Sequence, residues 1–251
     1  MFMRLLQLKI NKRFLELFRK HYEEAIIPEL QQLPGCLFAG LIQNQTRAHE
    51  FISITIWESQ ARAEDYNRSQ TYQTLLSKLQ PYFAESAEWK VQLSDELELE
   101  YKPVPEAPIL SQYVVSARAN DNSHLLDPIP GLYVRIVSVT LQKEKLVENK
   151  KVYTQQIIPA LLATEGCRYA CLLEKVGQNN QVISVTIWDS QKAAEDYERS
   201  GQFAEMVNKV KHTLSPLYQW KMALEKQSGK KMVTSDDLAV NAYAMVTGKK
   251  F

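Results

Sequence analysis

ISITIWESQARAEDYNRS, residues 52–69, returns as ISVTIWDSQKAAEDYERS at residues 183–200, with thirteen of the eighteen positions identical. Of the remainder, Ile54/Val185 and Glu58/Asp189 keep their chemical type. Agreement of that density marks a duplication, and the rest of the chain follows it. Shifting the sequence by 131 positions aligns residues 1–94 with 132–225 without a gap, and about three pairs in ten are identical. Arg4 meets Arg135, Tyr22 meets Tyr153, Gly35-Cys36 meets Gly166-Cys167, and Trp89-Lys90 meets Trp220-Lys221. So long a period means two whole domains, because solenoid repeats recur every ~20–50 residues.

Within each copy the hydrophobic pattern sets the element order. Residues 2–10 and 133–141 are strand-length runs rich in Leu, Ile and Val. Leu15, Phe18, Tyr22, Ile26, Leu30 and Leu33 recur at spacings of three and four, the stripe of a helix over 12–33. Pro28 and Pro159 fall inside that helix and predict a kink or a split. Gly35 and Gly166 close it as left-handed caps. Strands near 36–43 and 50–57 follow, joined by a polar loop (44–49; 175–180 in the second copy). In the second strand Ile52, Ile54 and Ile56 alternate with Ser53, Thr55 and Trp57, so its two faces differ. Ser59 and Ser190 stand at N-cap positions before a short helix through Tyr66 and Tyr197. A helix over about 70–83 and a strand around 88–98 complete the unit.

Strand, helix, strand, strand, helix, strand is the split βαβ order. The expected fold class is α+β: two tandem ferredoxin-like (βαββαβ) domains packed sheet to sheet as an internal pseudo-dimer. Packing of this kind covers the face that each sheet would otherwise leave bare. SQYVVSARA (111–119) and VNAYAMVTGKK (240–250) read as extra C-terminal strands that reach across to the partner sheet, with Tyr113 and Tyr243 in similar settings. The expected domains are 1–118 and 132–251, joined by a linker at 119–131.

Composition narrows the function. Thirty Lys and Arg against 29 Asp and Glu give a net charge of +1. The charges interleave, which leaves no footprint for nucleic acid or an anionic membrane. No apolar run approaches the ~18 residues of a bilayer span. The segment 1–14 alternates like a strand and lacks a signal peptide's apolar run and cleavage site. A cytoplasmic location is expected, with Cys36, Cys167 and Cys171 as free thiols that act as small buried hydrophobes. There is no glycine-rich phosphate loop, nucleophile elbow or HExxH. The four histidines (His21, His49, His124, His212) have no counterparts in the other copy, so no metal site is expected.

Each copy resembles the antibiotic biosynthesis monooxygenase family of dimeric α+β barrels. IIPELQQLPGC (26–36) and ITIWESQARAEDY (54–66) carry the resemblance, as do IIPALLATEGC (157–167) and VTIWDSQKAAEDY (185–197). The resemblance implies an intramolecular dimeric α+β barrel with a cavity between sheet and helices in each unit. It also implies oxidation of polycyclic phenols or quinols by molecular oxygen, with no metal, flavin or other cofactor. An electron-rich phenolate can itself donate to oxygen. The protein then supplies a dry slot, a proton acceptor and orienting hydrogen bonds.

Trp57 and Trp188 match the tryptophan that such enzymes carry at this strand end. Ser53 and Ser184 stand where some members have an asparagine, which keeps a hydrogen-bonding group but no amide. These four are the candidate catalytic residues. Candidate substrate contacts are Tyr22 and Tyr153, Arg4 and Arg135, Thr55 and Thr186, Tyr66 and Tyr197, and Phe38 and Tyr169. Each has a purely structural alternative: indoles filling the barrel between the sheets, phenols packed in the core, arginines paired with helix carboxylates. Haem-degrading relatives use an asparagine, a tryptophan and a histidine. The matching places here hold Leu6 and Val137, Tyr66 and Tyr197, and Leu76 and Val207, which excludes that chemistry. Phe38 against Tyr169 and Gly40 against Cys171 predict unequal pockets.

The expected function is therefore a cofactor-independent monooxygenase for a small aromatic, quinol- or polyphenol-like molecule. The alternative is a non-catalytic small-molecule-binding or stress-response protein on the same barrel. The expected partners are a small aromatic molecule, no nucleic acid and no membrane. The internal pseudo-dimer leaves further homo-oligomerisation open.

Overall fold

The computed structural model describes residues 1–93, 99–118, 131–178, 180–228 and 238–251. The linker read at 119–131 lies, but for Gly131, outside the described residues. The first unit opens with β1 (Phe2–Lys9), α1 (Leu15–His21), a π turn (Tyr22–Ile26) and α2 (Ile27–Gln31). It continues through β2 (Cys36–Asn44), β3 (Glu50–Trp57), α3 (Gln60–Arg68) and α4 (Gln70–Leu79) to β4 (Glu85–Leu93), β5 (Leu99–Pro105) and β6 (Ile109–Arg118). The second unit repeats the plan with β7 (Tyr133–Thr140), α5 (Leu146–Val152), a π turn (Tyr153–Ile157), α6 (Ile158–Leu162) and β8 (Cys167–Lys175). It ends with β9 (Gln181–Trp188), α7 (Gln191–Arg199), α8 (Gln202–Val210), α9 (Pro216–Ser228) and β10 (Leu238–Lys250).

Eight strands close into one antiparallel barrel in the order β6-β1-β3-β2-β10-β7-β9-β8, and β8 pairs back onto β6. Two seams join the units. β6 lies between β1 of its own unit and β8 of the other. β10 lies between β7 and β2 in the same way. The seams match residue for residue: Tyr113 faces Lys175 and Tyr243 faces Asn44, and both crossing strands are bulged two to four residues further on. Each unit thus supplies a strand to both seams, and neither sheet keeps a free edge.

The alternation in β3 decides what faces where. Ile52, Ile54 and Ile56 point into the barrel and meet Ile183, Val185 and Ile187 of β9 in one cluster, closed by Tyr113 and Tyr243. The opposite faces form two further cores under the helices, one per unit. Strands covered on both sides are buried along most of their length, as β1 to β3 are.

The helix that crosses each sheet is split, as its proline predicts, but by a π turn. Ile27 N–H bonds the Tyr22 carbonyl and Ile158 N–H bonds that of Tyr153, each five residues back. Pro28 and Pro159 then fall in the first turn of a new helix, where a missing N–H costs little. Gly166 takes φ +80°, and a Cβ there would sit 2.5 Å from that of Ala193, so the helix-to-strand turn packs directly on α7.

The strand read around 88–98 needs correction. Among the described residues β4 pairs only with β5, in a hairpin outside the barrel, and the fourth sheet position next to β1 belongs to β6. The corresponding stretch of the second copy is the helix α9. There Ser215 Oγ accepts from Tyr218 N–H and Pro216 takes the first position, a helix start that the first copy lacks. No helix among the described residues is long and apolar enough to cross a membrane.

Because the barrel interior is shared, each half alone would expose it. Residues 1–127 and 128–251, expressed separately and mixed, should elute together as a one-to-one complex in size-exclusion chromatography. Two stable halves that ignore one another would contradict the shared interior.

Candidate functional site

The face of each sheet that turns away from the barrel carries the polar residues. Arg4 on β1 and Ser53 and Thr55 on β3 look outward in the first unit, under Tyr22 of the π turn and Tyr66 of α3. Arg135, Ser184, Thr186, Tyr153 and Tyr197 repeat the arrangement in the second. These ten sequence candidates line two small cavities between sheet and helices, one per unit.

The polar groups form matched sets. Tyr22 Oη and Ser53 Oγ are 2.6 Å apart, as are Tyr153 Oη and Ser184 Oγ. Each phenol also lies 3.4 Å from a carbonyl of the neighbouring strand, that of Gly40 or Cys171. Trp57 Nε1 donates to Thr55 Oγ1 at 2.9 Å and Trp188 Nε1 to Thr186 Oγ1 at 2.8 Å. The indoles stack or tilt against Tyr66 and Tyr197 at 5.1 and 5.0 Å. Trp57 and Trp188 are therefore enclosed one layer behind the cavities, holding the threonine and tyrosine that line them. They belong to the cores under the helices, not to the barrel interior. Phe38 points into the barrel, and Tyr169 packs between the barrel cluster and the core of its own unit. Neither lines either of these two cavities, the bulge at the start of β2 and β8 setting their register.

The arginines separate the two sites. Arg135 pairs with Glu198 of α7, as an ion pair with a helix carboxylate predicts, and lies over the rings of Tyr197 and Phe203. Arg4 has no ion pair among the described residues, since the position of Glu198 is held by Asn67. It lies over Tyr66 and Tyr72 instead.

Size separates them too. The second cavity measures about 70 Å³ and the first about 20 Å³. Leu6, Leu76 and Leu79 in the first lining become Val137, Val207 and Val210 in the second, and Phe18 becomes Asn149. Every one of these exchanges removes side-chain volume. Asn149 is buried and donates to Thr213 Oγ1 at 2.8 Å. The outer wall also differs. α4 is capped by Ser69 and buries Leu75 and Leu79, whereas α8 starts at Gly201 (φ +84°) with no side-chain cap and no fully buried residue. The residues of α4 and α8 were missed as site residues because their apolar stripe reads as ordinary core.

Burial controls the protonation of the enclosed groups. Desolvation raises the phenols of Tyr22, Tyr66, Tyr153 and Tyr197, so all four stay neutral. A neutral phenol can orient a ligand or its serine partner, but it cannot act as a base. Burial pushes each of the Cys36, Cys167 and Cys171 thiols up to about 12. Among the described residues no three His, Cys, Asp or Glu side chains gather as metal ligands would.

The profile of the antibiotic biosynthesis monooxygenase family matches residues 1–77 and again 133–209, more than half of the chain. Among solved structures, proteins named "putative monooxygenase" from Lactobacillus acidophilus and Fusobacterium nucleatum superpose with TM-scores of 0.66 and 0.65. Their identities are 6% and 7%, over 99% of this chain and 95% and 94% of theirs. An anthrone oxidase-like protein gives a TM-score of 0.59 at 13% identity, over 99% and 92%. At these identities the likeness shows the fold alone, that of antibiotic biosynthesis monooxygenase-type proteins. None of the curated proteins matches the sequence.

Groups whose pKa is raised on folding keep their full contribution to stability below the unfolded value and lose it as pH climbs towards the folded one. For the thiols that window runs from about 9 to about 12. The urea midpoint should hold steady up to about pH 8.5 and fall by about pH 10.5. A thiolate-specific reagent at about pH 8 should label no cysteine in the folded chain and all three in denaturant.

Proposed function

The chain belongs to the antibiotic biosynthesis monooxygenase family, and from that premise we propose that its second unit oxidises a small, electron-rich phenol or quinol with molecular oxygen and no cofactor. The observation that carries this is the cavity of about 70 Å³ in which Tyr153, Ser184, Thr186, Arg135, Tyr197 and Asn149 converge within otherwise apolar walls. An apolar cavity of ~150 Å³ holds one benzene ring. Entry of a ring therefore requires the wall to move, and α8, with the half-buried Phe203 and Met206, is the part least held. Methionine adapts to such changes at little cost.

In this reading Ser184 receives the Tyr153 proton in a hydrogen bond and turns its own hydroxyl hydrogen towards the substrate oxygen. The substrate proton passes, by way of the Arg135 ion pair, to the Glu198 carboxylate, which lies outside the cavity lining, and Arg135, released from that partner, stabilises the phenolate. The electron-rich ring gives one electron to oxygen, and the radical and superoxide combine into a peroxide. Loss of water leaves the carbonyl. One oxygen atom enters the product, the other leaves as water, and the substrate supplies the electrons. Trp188 acts through Thr186 as a positioning residue. The three free cysteines support a reducing, cytoplasmic setting.

One observation favours the second reading, a protein that binds an aromatic molecule without turnover: neither lining contains a carboxylate or an imidazole. Oxygen uptake separates the two. With anthrone- or dihydroxynaphthalene-type substrates in chelator-treated buffer, the chain should consume oxygen above the uncatalysed rate. Ser184→Ala should lower kcat/KM by about tenfold, the effect of one orienting hydrogen bond. A panel of such substrates with no excess uptake would overturn the enzymatic reading.

A further inference from the structure

The two repeats place an arginine at the same point and satisfy it differently. Arg4 is 3% exposed, lies on the wall of the first cavity, and donates from Nη1 to Thr55 Oγ1 at 3.5 Å. The rings of Tyr66 and Tyr72 lie 4.8 and 5.1 Å from its Cζ. Nε and Nη2 are buried with no hydrogen-bond partner among the described residues. Burial lowers the Arg4 pKa from its ordinary value; the phenols of Tyr66, Tyr72 and Tyr22 oppose this, Tyr72 also by hydrogen bonding to the guanidinium, yet neither Nε nor Nη2 meets a partner in hydrogen-bond geometry among the described residues. A guanidinium stays charged at any physiological pH, and a buried charge without a partner is costly. Arg135 carries no such debt, because Glu198 neutralises it. Asn67, which stands at the repeat position of that carboxylate, itself leaves a buried Oδ1 without a partner among the described residues.

The vacant groups have a definite shape. Nε and Nη2 occupy one edge of the guanidinium with their N–H bonds parallel, the fork that receives two carboxylate oxygens at once. Two aromatic rings cover the guanidinium and leave that edge for an in-plane partner. The space is small: about 20 Å³, where a single water needs ~10–15 Å³. It suits a planar ion of three or four heavy atoms and excludes an aromatic acid while Leu75, Leu76 and Leu79 keep their places.

We propose that the first unit is a binding site for a small planar monoanion of the carboxylate class, held in the Arg4 fork, and that the second unit, neutral overall, takes none. The duplicated cavities then have divided tasks: an anion in the first, an uncharged aromatic in the second. The anion site stands on Arg4, with Asn67 at the repeat position of Glu198, and does not depend on oxidation.

Binding is read without turnover, by calorimetry with sodium formate and sodium bicarbonate at constant ionic strength. The expected stoichiometry is one formate per chain. Arg4→Met should abolish it. Asn67→Glu, which keeps the arginine and copies the second unit, should weaken formate at least tenfold. Glu198→Asn, which frees Arg135, should raise the stoichiometry to two. Bicarbonate should compete with formate, and chloride, with no second oxygen for the fork, should bind at least tenfold more weakly. Absence of saturable formate binding would overturn the proposal, as would formate affinity unchanged by Asn67→Glu. Chloride binding as tightly as formate would overturn the forked-carboxylate assignment, and a stoichiometry of one in Glu198→Asn would overturn its basis in charge balance.

Discussion

A four-stranded sheet with helices on one side has an apolar face that water must not reach, and this constraint organises the molecule. The chain meets it by covering one copy's sheet with the other's. Ile52, Ile54 and Ile56 meet Ile183, Val185 and Ile187 across the barrel, and β6 and β10 close the seams between the units. Burial of each such side chain is worth about 1.5–3 kcal/mol, and six of them form only part of the cluster. Tandem duplication in one chain makes the pairing intramolecular, so it does not depend on protein concentration.

The same constraint places the site. Side chains alternate along a strand, so committing the even positions of β3 to the barrel sends Ser53, Thr55 and Trp57 to the helix side. There the π turn matters. One extra residue per turn carries Tyr22 and Tyr153 onto the serines and lets the following proline open a new helix. A shift of one residue in either element would separate phenol from hydroxyl.

Duplication also frees the copies to diverge once the barrel is secured. The isoleucines and valines of β3 and β9 that face the shared interior stay large and apolar in both. The helix-side linings lose methylenes in the second unit and lose a carboxylate in the first. One buried arginine is thereby neutralised and the other is left with an open fork. A single difference, Asn67 against Glu198, decides whether the arginine on the cavity wall has a carboxylate partner, and an unpaired buried charge is costly.

The sequence by itself determined the duplication, the alternation in β3, the split helix and ten of the residues that line the cavities. Each is a local or periodic signal written in neighbouring residues. Three things needed the tertiary structure. The fourth sheet strand is β6 rather than the segment at Trp89, because the place beside β1 is won by long-range pairing. Trp57 and Trp188 stand behind the cavities and not in them, because an indole's reach depends on the helix packed over it. The arginines differ because Glu198, about sixty residues along the chain from Arg135, comes to lie beside it only when α7 folds back over β7, while the matching position of the first unit holds Asn67. Charge balance between such distant positions is a property of the packed interior.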